Sequence, residues 1–114
     1  MKVYFARFFL VTLIATLGLS AQTLNTTRQD NYWPALVASS NKMHTTMASV
    51  SKSGDSDVDF VKLMLPHHQA AIEMAKAQLL YGKDPQVRRL AQEIITDRQS
   101  EIELMQLWLK QHQQ

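Results

Sequence analysis

Cysteine is absent from all 114 residues. No disulfide can brace the fold, so stability has to come from packing. Thiolate metal sites and lipid attachment through cysteine are excluded with it. Glycine and proline number only three each, too little for a glycine-rich phosphate cradle, and nucleophile motifs of the Gly-x-Ser-x-Gly kind and a His-Glu-x-x-His zinc helix are also missing. A membrane-spanning run is lacking as well. The longest apolar stretch, Phe8 to Leu19, is about a dozen residues, against the roughly 20 that a spanning helix needs.

What stands at the start has the layout of a secretory signal. Lys2 and Arg7 give a positive opening, Phe8 to Leu19 is an apolar or small run, and Ser20-Ala21 offers small residues for cleavage. Residues 1–21 are therefore expected to be a signal peptide, leaving a protein of the periplasm or the exterior with no permanent membrane anchor. Losing Lys2 and Arg7 from 12 basic side chains leaves ten against 10 acidic ones, so the part beyond the leader is formally neutral. It offers no concentrated basic face for nucleic acid. The 93 residues after position 21 of 114 suffice for one small domain with a modest core.

Residues 22–32 are polar and unpatterned and read as a flexible lead-in; the bundle is expected over 33–114. Trp33, Leu36, Val37, Met43, Met47 and Val50 recur at three- and four-residue steps and predict a first helix from Trp33 to Val50. Pro34 sits in its first turn, where proline is tolerated. Ser51 to Ser56 has the composition of a connection. A second helix starts near Asp57, with Asp55, Ser56 and Asp57 as competent caps, and runs to Tyr81 before Gly82. Its apolar set is Phe60, Val61, Met64, Leu65, Ile72, Ala75 and Leu79; Lys62, Gln69, Glu73 and Lys76 mark the opposite, wet face. This pattern turns both His67 and His68 inward, and Pro66 predicts a bend just before them. Asp84-Pro85 opens a third helix that runs to Lys110, with Val87, Leu90, Ala91, Ile94, Ile95, Ile102, Met105, Trp108 and Leu109 on its buried side. Three such helices with short connections predict an all-α, antiparallel, up-down-up three-helix bundle. Their broad apolar faces are compatible with a homodimer.

The chemistry concentrates in Met64-Leu65-Pro66-His67-His68-Gln69-Ala70-Ala71-Ile72-Glu73-Met74. Two imidazoles and two thioethers lie in what otherwise reads as a helix core stripe. Imidazole nitrogen and thioether sulfur together suit a soft, late transition metal, copper above all, rather than magnesium or calcium. The competing reading of any single member is ordinary core filling for methionine and a hydrogen-bonded core ring for histidine. The first helix repeats the ligand types in Met43, His44 and Met47, and the third adds Glu101 and Met105. In an antiparallel bundle these groups fall at one level. Arg98 shares the stripe with Glu101, so an ion pair between them is the stronger account of that carboxylate.

The combination of Asp57-Val58-Asp59-Phe60, the Met-Leu-Pro-His-His-Gln-Ala-Ala-Ile-Glu-Met segment above, and then Leu90-Ala91, Ile94-Ile95, Gln99, Glu101-Ile102, Met105 and Trp108-Leu109 resembles the exported proteins grouped as domain of unknown function 305. The resemblance runs from about Met43 to Leu109. It implies a ferritin-like helical bundle and, for some relatives, periplasmic copper binding linked to metal tolerance. By position it implies ligand roles for His67 and His68, for Met64 and Met74, and for Glu101 and Met105. Longer relatives carry further Met- and His-rich segments that this chain lacks, which argues against high-capacity storage.

The expected function is that of a non-enzymatic copper-binding protein that buffers, sequesters or hands copper to or from a donor or acceptor protein. His67 and His68 are the principal candidate ligands, Met64 follows, Met43, His44 and Met47 form a second or shared group, and Met74, Met105 and Glu101 complete the set. Two other readings use the same residues. A partner-binding structural bundle of the cell envelope would dock an apolar helix on the methionines. An electron-transfer protein would hold haem non-covalently through His and Met, no Cys-x-x-Cys-His attachment being present. A di-iron carboxylate enzyme needs Glu-x-x-His pairs, and the chain has none.

Overall fold

Three helices follow the three periodic segments. In the computed structural model, which describes residues 30–112, α1 is Tyr32–Ala48, α2 is Ser56–Tyr81 and α3 is Pro85–His112. The described residues contain no strand. The expected signal peptide and most of the expected lead-in lie outside the described residues. The chain divides into two units, Met1–Asn31 and Tyr32–Gln114, and the helices belong to the second.

Each helix end has a local cause. At the end of α1, the Ser49 hydroxyl donates to the Thr46 carbonyl at 2.7 Å and the Val50 amide to Met47 at 3.1 Å, satisfying carbonyls that a helix terminus leaves open. Gly54 then takes φ +93°, a left-handed conformation that favours glycine. Asp55 caps α2, its carboxylate accepting from the amides of Asp57 at 2.8 Å and Val58 at 3.3 Å. Asp59 accepts from the Ser53 amide at 2.8 Å, and the Ser53 hydroxyl and amide together hold its carboxyl below the ordinary value. These bonds tie the α1–α2 connection to the first turn of α2.

The turn from α2 to α3 is tighter. The Gly82 amide donates to the Gln78 carbonyl at 2.8 Å, and a Cβ at position 82 would lie 2.6 Å from that same oxygen, so only glycine fits without a shift. Arg88 of α3 reaches back to donate to the carbonyls of Leu79 and Gly82. Its charge sits where the helix dipole of α2 is negative. Asp84 caps α3 by accepting from the Gln86 and Val87 amides, both at 2.9 Å, with Pro85 in the first helical position.

Helix α2 is central and packs against both neighbours. His68 meets Glu101 while Arg88 meets Leu79, so α2 and α3 run antiparallel. Thr46 shares one groove with Lys62, and Ala35 another with Ala77, so α1 and α2 do too. The buried side chains are Val58, Ala70, Ile72, Ala75, Ala91 and Ile102. Three of these six are alanines, so the core is shallow.

The apolar faces sit differently from their predicted rotation. Phe60, expected inside, is 61% exposed, and Trp33, Val87 and Leu90 are exposed as well. Conversely Lys62 and Glu73, expected on the wet face of α2, are half-buried and line the groove beside α1. Helix α2 is apolar around most of its circumference, so the spacing of its apolar residues defines a helix without fixing which side turns in.

Candidate metal centre

The seam between α2 and α3 holds the chemistry. His68 projects from α2 into it with 16% of its side chain exposed. Its Nδ1 lies 3.0 Å from the Met64 carbonyl, one turn back on the same helix. A carbonyl only accepts, so Nδ1 carries the proton of that bond. The ring is thereby fixed in rotation, and Nε2 points across the seam to Glu101 Oε2 at 2.5 Å.

Glu101 is half-buried and receives a second partner on the same oxygen, the guanidinium of Arg98 one turn earlier on α3. Arg98, and then His68, hold the Glu101 carboxyl below its ordinary value against a smaller opposing effect of desolvation. The ion pair foreseen from the sequence is thus present, and it is joined by an imidazole. The three residues form a clasp between the helices, with the other carboxylate oxygen, Oε1, outside both contacts.

The antiparallel register extends this contact. Moving one turn back along α2 from His68 reaches Met64, and one turn forward along α3 from Glu101 reaches Met105. The two methionines occupy the adjacent layer of the seam, about 6 Å away along the axes. Both are half-buried. One imidazole, one carboxylate and two thioethers therefore occupy two successive layers of a single helix pair.

The remaining candidates lie elsewhere. His67 was expected to face inward beside His68 but is exposed on the outer side of α2, and Met74, two turns further on, is 41% exposed on that same side. Successive residues are about 100° apart around a helix axis, so one of two adjacent histidines enters the seam and the other leaves it. His44 of α1 is exposed and Met47 is half-buried. Met43 lines a groove of about 380 Å³ with Thr46, Lys62, Leu65, Pro66 and Ile102. The end of α1 lies beside the first half of α2 as expected, but against a different face, so Met43 does not share the wall that carries His68. Among the described residues, no three His, Asp or Glu side chains gather closely enough to hold a metal; a site at the seam needs the thioethers.

Two features escaped the sequence reading. Arg88 carries its positive charge at the start of α3, and only the backward fold of the turn reveals its use on α2. His112 repeats the geometry of His68, with Nδ1 2.8 Å from the Trp108 carbonyl and its ring stacked on the Trp108 indole at 4.1 Å.

The described residues form a small all-helical bundle with a histidine–carboxylate contact between α2 and α3. The chain belongs to the family described as domain of unknown function (DUF305), whose profile matches residues 11–109. It is also similar to an uncharacterized protein, L153, of Acanthamoeba polyphaga mimivirus, with 41% identity over 49 residues, 43% of this chain and 32% of that protein. This chain thus matches about a third of the length of that relative. No helix among the described residues is long and apolar enough to cross a membrane.

Proposed function

We propose that this protein binds copper at the α2–α3 seam and serves, after export, as a non-catalytic buffer or carrier of the metal. The observation that carries the reading is the anchoring of His68. With Nδ1–H held on the Met64 carbonyl, the nitrogen left to donate a lone pair is Nε2, already aimed at a carboxylate oxygen. Metal-binding histidines are typically oriented by such a second contact, which fixes the tautomer and the ring. A copper ion here would be held by His68 Nε2 and Glu101 Oε2, with Met64 and Met105 offering thioether sulfur from the next layer. Thioether sulfur favours Cu(I), and imidazole accepts either oxidation state.

Competition with a copper chelator tests this. His68→Ala and Met64→Leu should each lower copper affinity by about tenfold or more, the scale of loss expected when a ligand or its supporting contact is removed. Unchanged affinity in His68→Ala would overturn the site. A second reading, a bundle that docks a partner protein, draws on the apolar side chains left outside: Phe60, Leu63 and Met74 on α2, and Leu104 and Leu107 on α3.

A further inference from the structure

The outer face of α2 has a composition that its position in the bundle does not explain. Phe60, Leu63, His67 and Met74 are exposed and Ala71 half-buried. At about 100° per residue these five fall within about 80° of one another around the helix. None of the charged residues of α2, Asp57, Asp59, Lys62, Glu73 and Lys76, lies in that sector. An exposed surface ordinarily carries charge, so a continuous uncharged stripe about 21 Å long, from Phe60 to Met74, marks a face that is covered in use.

The order of residues along the stripe identifies the cover. His67 stands seven residues from Phe60 and seven from Met74. Turning a second α2 antiparallel about a two-fold axis at His67 places Phe60 against the partner's Met74, a favourable aromatic–sulfur contact. Leu63 then meets the partner's Ala71, large against small. Ser56 meets the partner's Gln78 at the polar margins. The seven-residue step from Phe60 to His67 to Met74 is also the spacing that keeps one seam facing a partner helix. The face is complementary to itself, as an isologous dimer interface has to be.

We infer that two copies of this chain pair through the outer faces of α2, and that the two His67 side chains, meeting at the dyad, form a second copper site that neither copy holds alone. Imidazole suits copper, and the pairing brings together two rings that the single chain keeps apart. The metal identity rests on the copper reading above; the pairing does not.

Single-cysteine variants can test the register because the natural chain has no cysteine. Under mild oxidation the full chain carrying His67→Cys should crosslink to a dimer, while Lys76→Cys, off the stripe, should not. Light scattering should give a dimer for the unmodified chain and a monomer for Leu63→Glu, with helix content retained in circular dichroism. Titration with Cu(I) under reducing, anaerobic conditions should show His67→Ala losing one copper per pair of chains, with the seam site intact. A monomer at every concentration, or equal crosslinking at positions 67 and 76, would overturn the pairing and leave the face to an apolar segment of this chain or to a different protein. A dimer with unchanged copper stoichiometry in His67→Ala would overturn the dyad site. Copper binding lost only in His68→Ala would sustain the seam reading while rejecting the dyad site, so the two fail separately.

Discussion

One oxygen of Glu101 is shared by two side chains, the Arg98 guanidinium and the His68 imidazole, and the behaviour of the seam follows from that sharing. Arg98 and His68 both favour the ionised carboxylate, which is why the Glu101 carboxyl titrates below its ordinary value of 4.5. A carboxyl depressed in the folded state stabilises the fold above its unfolded value, and this contribution is lost as pH falls through the folded one. Thermal stability should therefore decline on acidification below pH 4.5, and Glu101→Gln should show a flatter decline than the natural chain. Arg98 also opposes a metal, because its charge lies on the oxygen that a metal would use. Arg98→Ala should raise copper affinity, measured by chelator competition. A fall would mean that arginine positions Glu101 for the metal instead of competing with it. At this scale the sequence was informative: Arg98 and Glu101 one turn apart announced their ion pair. The third member was hidden, because only the pairing of α2 with α3 tells which of His67 and His68 meets the carboxylate.

The helices themselves were legible because their ends are written in local chemistry. Asp55 and Asp84 are side chains that can accept from the amides that a helix start exposes, and both do so. Gly82 follows α2 in extended backbone with its amide still on the Gln78 carbonyl, and a side chain there would strike that oxygen. Asp55→Ala should cost about 1 kcal/mol of stability, the usual scale for loss of an N-cap, read from urea unfolding with the midpoint moving down and the slope unchanged. Gly82→Ala should also destabilise, since the turn has to open to admit a methyl group. Rotation was the illegible part. Phe60 and Met74 have the spacing of core residues yet stand outside, while Lys62 and Glu73 flank α1. In a helix apolar nearly all round, period identifies the element, but tertiary partners choose the face.

For the molecule as a whole, a thin core and an uncharged outer stripe belong to the same account. With alanines filling half of the buried positions, three helices pack closely but enclose little apolar volume, and larger side chains remain at the surface. Burial of Phe60, Leu63 and Met74 between two chains would add the apolar area that each bundle lacks. Thermal stability should accordingly rise with protein concentration, as mass action requires of a dimer, and Leu63→Glu should abolish that dependence. The level at which the three segments with candidate ligands meet could be read from chain order alone. Their division into a seam site, a groove with Met43 and an outward His67 could not, since it depends on about 100° of rotation per residue.

X-ray absorption on the copper-loaded protein reports which atoms surround the ion. A copper ion at the seam should show sulfur together with nitrogen or oxygen in its inner coordination shell. Met64→Leu should diminish the sulfur contribution, and His68→Ala should diminish the nitrogen. A spectrum with no sulfur neighbours, unchanged by either substitution, would contradict the assignment of copper to the α2–α3 seam.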